Sequence, residues 1–156
     1  MYNKYSTTLI LGSFPSVKSR ASMFYYAHPQ NRFWRILPRI YNNHQTLETN
    51  EEKSQFLLEH RIALWDVLHS CTIEGSSDSS IKDAVPNDLT FLLENSDIRR
   101  ILCNGTTAYK LFQKFQKFDL EKSVEVLQLP STSPANARFS EETLEKIWKE
   151  ALLHHK

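Results

Sequence analysis

The sequence of 156 residues predicts an α/β fold, a three-layer α/β/α sandwich around a central four-stranded, mostly parallel sheet. Three observations carry this expectation. Four short runs rich in β-branched and apolar residues, "TTLIL", "IALW", "IRRILC" and "VEVLQL", have the composition of buried strands. Segments with helical spacing of apolar residues lie between them, and parallel neighbours need such crossovers. Each run also ends in a polar loop: "GSFPS", "DVLHSC", "NGTT" and "STSPAN". In open α/β sheets the ligand crevice lies at the carboxyl ends of the strands, so these four loops mark the expected site.

Taken in order, "TTLILGSFP" reads as a strand running into a turn at Gly12, Ser13 and Pro15. Phe33, Ile36, Leu37 and Ile40 then follow helical spacing, so a short amphipathic helix starts near Asn31. "NEEKSQFLLEH" is a second helix, with Asn50 as its N-cap and Glu51 and Glu52 in its first turn. "IALWDVLHSC" is the next strand, and "TIEGSSDSSIKDAVPND" after it reads as a flexible loop. Asn87 caps "DLTFLLEN", a short helix leading to the third strand, "IRRILCNG". In "TTAYKLFQKFQKF", Ala108, Leu111, Phe112 and Phe115 share one helical face. "VEVLQLP" is the fourth strand. Ser140 caps the last helix, whose stripe is Leu144, Ile147, Trp148, Ala151 and Leu152. Neither a repeat nor a domain boundary is visible, so residues 1–156 read as a single domain.

Hydrophobic content of 40% and charged content of 24% are ordinary for a globular chain. The apolar runs are too short to span a bilayer, and the N-terminus carries no signal-like hydrophobic region, so no membrane partner is expected. Two cysteines, Cys71 and Cys103, give no disulfide framework and point to a reducing, cytoplasmic setting. The six histidines and two cysteines show no metal-ligand spacing; neither metal nor cofactor is expected. Net charge is only +1, but residues 1–47 hold Lys4, Lys18, Arg20, Arg32, Arg35 and Arg39 without one acid. Such asymmetry is the footprint expected of a surface that follows phosphates.

The stretch from Gly12 to Trp34, "GSFPSVKSRASMFYYAHPQNRFW", sets Pro, Ser, aromatics, His and Asn straight after the first strand. Its "GSFP" turn and "YYAHPQNRFW" segment, with the late "STSPAN", resemble the uracil-DNA glycosylase superfamily. The likeness is nearest to the hypoxanthine-DNA glycosylase branch, with its GSFP turn, YYAHPxNRFW and STSPAN. The order of elements agrees over nearly the whole chain. The resemblance implies a DNA-repair enzyme that flips out and hydrolytically removes a deaminated base, hypoxanthine first, leaving an abasic site. Its partner would be DNA carrying such a base, and the expected state is a monomer.

One departure matters. In the mismatch-specific branch of that superfamily, the Asn of a GINPG turn positions the attacking water, and here Phe14 stands in its place with no polar atom. The resemblance makes Asn31 the substitute, with Asn104 of "CNGTT" as a possible second contributor. It also implies that the Tyr26 ring stacks on the extruded base, with Phe14 as a second wall and Ser13 beside it.

The chemistry asks for these residue types. Extruding a base costs a few kcal/mol, and stacking returns about 1–3 kcal/mol per base. Cleaving the N-glycosidic bond builds negative charge on the departing base. By analogy with oxyanion holes, one preorganised donor there contributes about 2.7–4 kcal/mol. An Asn amide can donate to the base or accept from a water, but it cannot abstract a proton. Asn31 equally suits a helix N-cap, and the two roles are alternatives for one side chain.

Asp66 closes "ALWD", where the superfamily commonly places its base-reading side chain. A carboxylate fits hypoxanthine, whose N1–H is a donor, and repels the bare N1 acceptor of adenine. In "STSPANAR", Ser131, Thr132 and Ser133 offer hydroxyls and backbone N–H groups to a phosphate. The resemblance implies that Pro134, Ala135 and Asn136 act as a wedge filling the vacated stack, and Arg138 is a candidate phosphate contact. Ser16, Ser19 and Arg20 are further phosphate candidates. No lysine sits in the polar core of the first motif, so Schiff-base strand cleavage is not indicated. Three alternatives stay open: a uracil- or mismatch-specific glycosylase on the same scaffold, a non-catalytic module that binds lesion DNA, and a small nucleoside hydrolase.

Overall fold

The computed structural model describes residues 1–14, 24–27, 29–42, 46–73, 81–116 and 123–153. Four strands, β1 (Thr8–Gly12), β2 (Ile62–Asp66), β5 (Arg100–Asn104) and β6 (Glu125–Leu129), form one sheet in the order β2-β1-β5-β6. Every neighbouring pair is parallel. Helices α1 (Phe33–Ile40), α2 (Asn50–Glu59), α3 (Thr90–Glu94), α4 (Thr106–Phe115) and α5 (Glu141–Leu153) make the crossovers and the outer layers.

Strand side chains alternate between faces with period two, and the core divides accordingly. Ile10, Leu64, Leu102 and Leu129 pack with Phe33, Ile36 and Leu37 of α1, Phe56 of α2, and Leu144 and Trp148 of α5. Leu9, Leu11, Ala63, Ile101 and Cys103 pack on the other side with Leu92 of α3 and Ala108 and Phe112 of α4. Both faces of a parallel sheet are thereby covered, as its backbone geometry requires, and the three-layer expectation holds. Among the described residues no helix is long and apolar enough to cross a membrane.

Several boundaries differ from the sequence expectation. "IALWDVLHSC" is not one strand: β2 ends at Asp66, and the chain continues as β3 (Leu68–Ile73). Val67 N–H donates to Gly12 O at 2.9 Å and Leu68 N–H to Ser13 O at 2.9 Å, so the turn after β1 captures the chain as it leaves the sheet. Part of the supposed flexible loop is ordered too. β4 (Ile81–Pro86) pairs antiparallel with β3, and "IKDAVP" looked loop-like because such a ladder depends on a backbone partner that composition does not reveal. Residues 74–80 lie outside the described set.

Two caps also move. Thr49, not Asn50, caps α2: its hydroxyl accepts from Glu52 N–H at 3.0 Å, and Glu52 accepts from Thr49 N–H at 3.2 Å, a complete capping box. Asn87 does not cap α3; its Nδ2 donates to Asp66 O at 2.8 Å, tying the start of that helix to the end of β2. Ser140 behaves as expected and accepts from Thr143 N–H at 3.2 Å.

Candidate active site

The parallel register places Gly12 opposite Asp66 where β1 and β2 end. A Cβ on Gly12 would lie 2.5 Å from Asp66 Oδ1 and 3.2 Å from Tyr26 Oη, so only glycine lets both groups approach the strand end. Among the described residues none donates a hydrogen bond to the Asp66 carboxylate. Burial pushes this carboxyl up to about 7, and the N-terminal ammonium pulls weakly the other way. A mostly buried, unpaired carboxylate has a large desolvation cost, and such groups concentrate at functional sites.

Tyr26 reaches the same place from the aromatic loop. Its backbone is left-handed, with φ of 53°, a conformation uncommon for a bulky residue. Trp34 Nε1 donates to Tyr25 O at 2.9 Å and anchors the loop just before it. The Tyr26 ring lies 4.4 Å, centroid to centroid, from that of Phe33, so the core occupies one of its faces. Its hydroxyl is buried and makes no hydrogen bond to a described residue. Burial and then the Asp66 charge hold its pKa well above the usual phenol range, while the Asn104 amide acts in the opposite sense. Phe14 packs against the α3/α4 layer and Tyr26 against the α1/α5 layer, which puts the two expected walls on opposite sides of the sheet. Ser13, directly before Phe14, is partly buried, and its carbonyl accepts from Leu68 N–H.

Asn31 and Asn104 are joined through Thr132, which is fully buried. Asn31 Oδ1 accepts from Phe33 N–H at 3.0 Å and from the Thr132 hydroxyl at 2.8 Å. Asn104 Nδ2 donates to Thr132 Oγ1 at 3.0 Å, and Asn104 Oδ1 accepts from Thr132 N–H at 3.0 Å. Capping and a site role are therefore not alternatives for Asn31: its oxygen serves the start of α1, while its Nδ2 bonds no described residue.

The "STSPAN" loop follows β6 and is folded on itself. Ser133 N–H donates to Ser131 Oγ at 3.1 Å, Ala135 N–H to Ser133 Oγ at 3.2 Å, and Asn136 Nδ2 to Ser131 O at 3.0 Å. Pro134 and Ala135 are exposed at its tip, and Arg138 is exposed with its guanidinium 6.0 Å from the Phe139 ring centre. A cleft of about 550 Å³ runs beside the loop, lined by Thr106, Gln128, Ser131, Ser133, Asn136 and Arg138 among others, with no acid in its walls.

Of the basic N-terminal cluster, Arg32, Arg35 and Arg39 are engaged within the protein. Arg32 donates to the carbonyls of Phe139 at 2.5 Å, Ser133 at 2.9 Å, Asn136 at 2.9 Å and Thr132 at 3.4 Å. Arg35 and Arg39 pair with Glu141, and Arg39 also with Glu145. These arginines fasten α1 to the last loop and α5 rather than forming an open phosphate track. Sequence reasoning missed Arg32 as a brace and Thr132 as the link between the amides, because their partners are distant in the chain, 28 positions from Thr132 to Asn104 and about a hundred for the others. Ser16, Lys18, Ser19, Arg20 and His28 fall outside the described residues. Among those described, no group of three His, Cys, Asp or Glu residues is placed to hold a metal. Cys103 is buried, which pushes its thiol up to about 12 and makes it a poor nucleophile.

The sequence matches the uracil DNA glycosylase superfamily over residues 1–152. It is 38% identical over 148 residues to a hypoxanthine DNA glycosylase of Methanosarcina acetivorans, covering 94% of this chain and 90% of that one. With a hypoxanthine DNA glycosylase of Methanosarcina barkeri the identity is 32% over 144 residues, 92% of this chain and 88% of that one. A solution NMR structure from Methanosarcina acetivorans, of a protein assigned to the uracil DNA glycosylases, superposes with a TM-score of 0.79 at 34% identity. That alignment covers 98% of this chain and 92% of the other. Sequence and architecture agree from the first strand to the last helix, and the chain belongs to the uracil DNA glycosylase superfamily.

Proposed function

We propose that the protein is a monofunctional DNA glycosylase that hydrolyses hypoxanthine from deoxyinosine in DNA and leaves an abasic site. The observation that carries this reading is the mostly buried Asp66 carboxylate at the strand ends, to which no described residue donates, beside Gly12 and the Tyr26 hydroxyl. The similarity to two hypoxanthine DNA glycosylases supports the choice of base.

In this reading the lesion nucleotide leaves the stack and enters the crevice at the strand ends, beside Tyr26 and Asp66. Ionised Asp66 accepts the N1–H of hypoxanthine, a bond absent with adenine, whose N1 lone pair faces the same charge with repulsion. As the glycosidic bond stretches, the base gains negative charge and the sugar positive charge. Asn31 then stabilises the transition state electrostatically, and a water completes the hydrolysis. Pro134 and Ala135, exposed at the loop tip, fill the gap in the stack, and Ser131, Ser133, Asn136 and Arg138 meet the phosphates along the cleft. No lysine sits in the polar core of the first motif, so Schiff-base chemistry is not expected and the strand is left intact. The protein acts as a monomer on cytoplasmic DNA.

A lesion panel tests this directly. Duplexes carrying inosine, uracil, xanthine or ethenoadenine are incubated with the purified protein, alongside free inosine. Rapid release from the inosine duplex alone, without strand scission, is expected, and Asn31→Ala should cut that rate by about 100-fold or more with DNA affinity retained. Preference for uracil, hydrolysis of free inosine, or binding without excision each defeats the reading.

A further inference from the structure

We infer that Thr132 is a positioning residue that fixes the polarity of the Asn31 amide, so that Asn31 meets the substrate as a hydrogen-bond donor and not as the acceptor of the attacking water. The inference deepens the proposed glycosylase reading and rests on it for the identity of the substrate.

The polarity follows from groups with only one possible role. A backbone N–H can only donate, so the Asn31 atom facing Phe33 N–H at 3.0 Å is its carbonyl oxygen. By the same logic the Asn104 atom facing Thr132 N–H at 3.0 Å is also its oxygen. Asn104 Nδ2 must then donate to Thr132 Oγ1 at 3.0 Å, which leaves the single hydroxyl proton of Thr132 to be given to Asn31 Oδ1 at 2.8 Å. The direction Asn104 to Thr132 to Asn31 is the one arrangement that satisfies every group. It cannot be reversed without setting two acceptors or two donors against each other inside the protein, and an unmade buried bond of that kind is costly.

Two consequences reach the crevice. Asn31 Oδ1 already accepts two hydrogen bonds, and a carbonyl oxygen offers two lone pairs, so it has none to orient a water by acceptance. The Asn31 Nδ2 group is the part of the amide left for the substrate. A donor is what the departing base requires, because its ring gains negative charge as the bond breaks. Asn104 has its oxygen and one N–H committed to Thr132, which makes it the far end of the same support.

Two substitutions separate donor from acceptor. Asn31→Asp keeps the oxygen that Phe33 and Thr132 require but replaces the amide nitrogen with a second acceptor. Single-turnover excision by Asn31→Asp should fall by about 100-fold or more, as far as in Asn31→Ala; a rate equal to or above that of the parent overturns the inference. Thr132→Val removes the hydroxyl and keeps the shape. It should lower the single-turnover rate while the Kd for an abasic-site duplex stays unchanged, with Thr132→Ser restoring most of the loss. An unaltered rate in Thr132→Val, or a parallel loss of affinity that Ser does not rescue, refutes the positioning role. A readout independent of turnover separates failure here from failure of the deoxyinosine reading. In proton–nitrogen NMR spectra, Thr132→Val should shift the side-chain amide signals of both Asn31 and Asn104. If the parent protein excises no lesion but both signals move, the substrate assignment alone is wrong; if either stays in place, the linkage is wrong.

Discussion

Asp66→Asn is the perturbation whose size the structure sets most directly. The carboxyl moves from the model-compound value of 3.8 to about 7 in the folded protein, and burial is the main cause. The folded state therefore holds this proton more tightly than the unfolded state. Between about pH 4 and pH 7 the unfolded chain has lost the proton while the folded chain keeps it, so stability falls as pH rises through that window. Above pH 7 the full penalty applies, about 4 kcal/mol. An amide at this position carries no such penalty. Asp66→Asn should thus be more stable than the parent by up to about 4 kcal/mol at pH 8, by about 1–2 kcal/mol at pH 5, and by almost nothing near pH 3.5. Urea denaturation at the three pH values measures this. The N-terminal ammonium, whose pKa burial lowers to about 6, titrates in the same range, but it is common to both proteins and largely cancels in the difference. The Tyr25 and Tyr26 hydroxyls are raised out of the window. The substitution should also abolish the preference for inosine, and the parent's excision rate should climb with pH through about 7 as the carboxylate forms. A variant no more stable than the parent at pH 8, or a difference that ignores pH, refutes the account of Asp66 as a buried, unpaired acid held for function.

Gly12→Ala places a methyl group 2.5 Å from Asp66 Oδ1, so the carboxylate must shift; inosine excision should drop by about 100-fold while gel-shift affinity for the duplex is retained. Arg32→Ala removes every donor that reaches the carbonyls of Thr132, Ser133, Asn136 and Phe139 from this side chain. A loss of about 3 kcal/mol in urea unfolding is expected, and Arg32→Lys should recover little of it because one ammonium cannot span four acceptors. Arg138→Ala should reduce the slope of log affinity against log salt by about 0.9, the value of one phosphate contact, in a fluorescence-anisotropy titration.

The layered architecture was legible because its signals are local. "TTLIL" and "IRRILC" carry the composition of buried strands, and the Leu144, Trp148, Leu152 stripe of α5 follows helical periodicity, all three side chains buried. The β3–β4 hairpin was not legible: "IKDAVP" pairs with "LHSCTI" through backbone hydrogen bonds, and its Ser, Asp and Gly surroundings look like any loop. Asn31, Asn104, Tyr26 and Asp66 were marked as candidates by motif and strand-end position, but the hydrogen bonds joining Asn31 and Asn104 through Thr132 were not legible. Nothing local in "STSPAN" marks Thr132 above Ser131 or Ser133, since its distinction comes from partners on β5 and before α1. Arg32 misled for the same reason: a cation in a basic run resembles a phosphate contact until the carbonyls folded around it come into view.

The Thr132–Asn31 bond spans 101 positions in the chain, and the bonds of Arg32 span 100 to 107. Closing a segment of that length carries an entropic penalty of about 4 kcal/mol, offset by the packing of α1 and α5 in one layer, which brings the two ends together. A nascent polypeptide halted anywhere before the serine-rich turn therefore lacks the Asn31–Thr132–Asn104 linkage altogether. The linkage is thus completed late, when the turn after β6 meets the residues that precede α1.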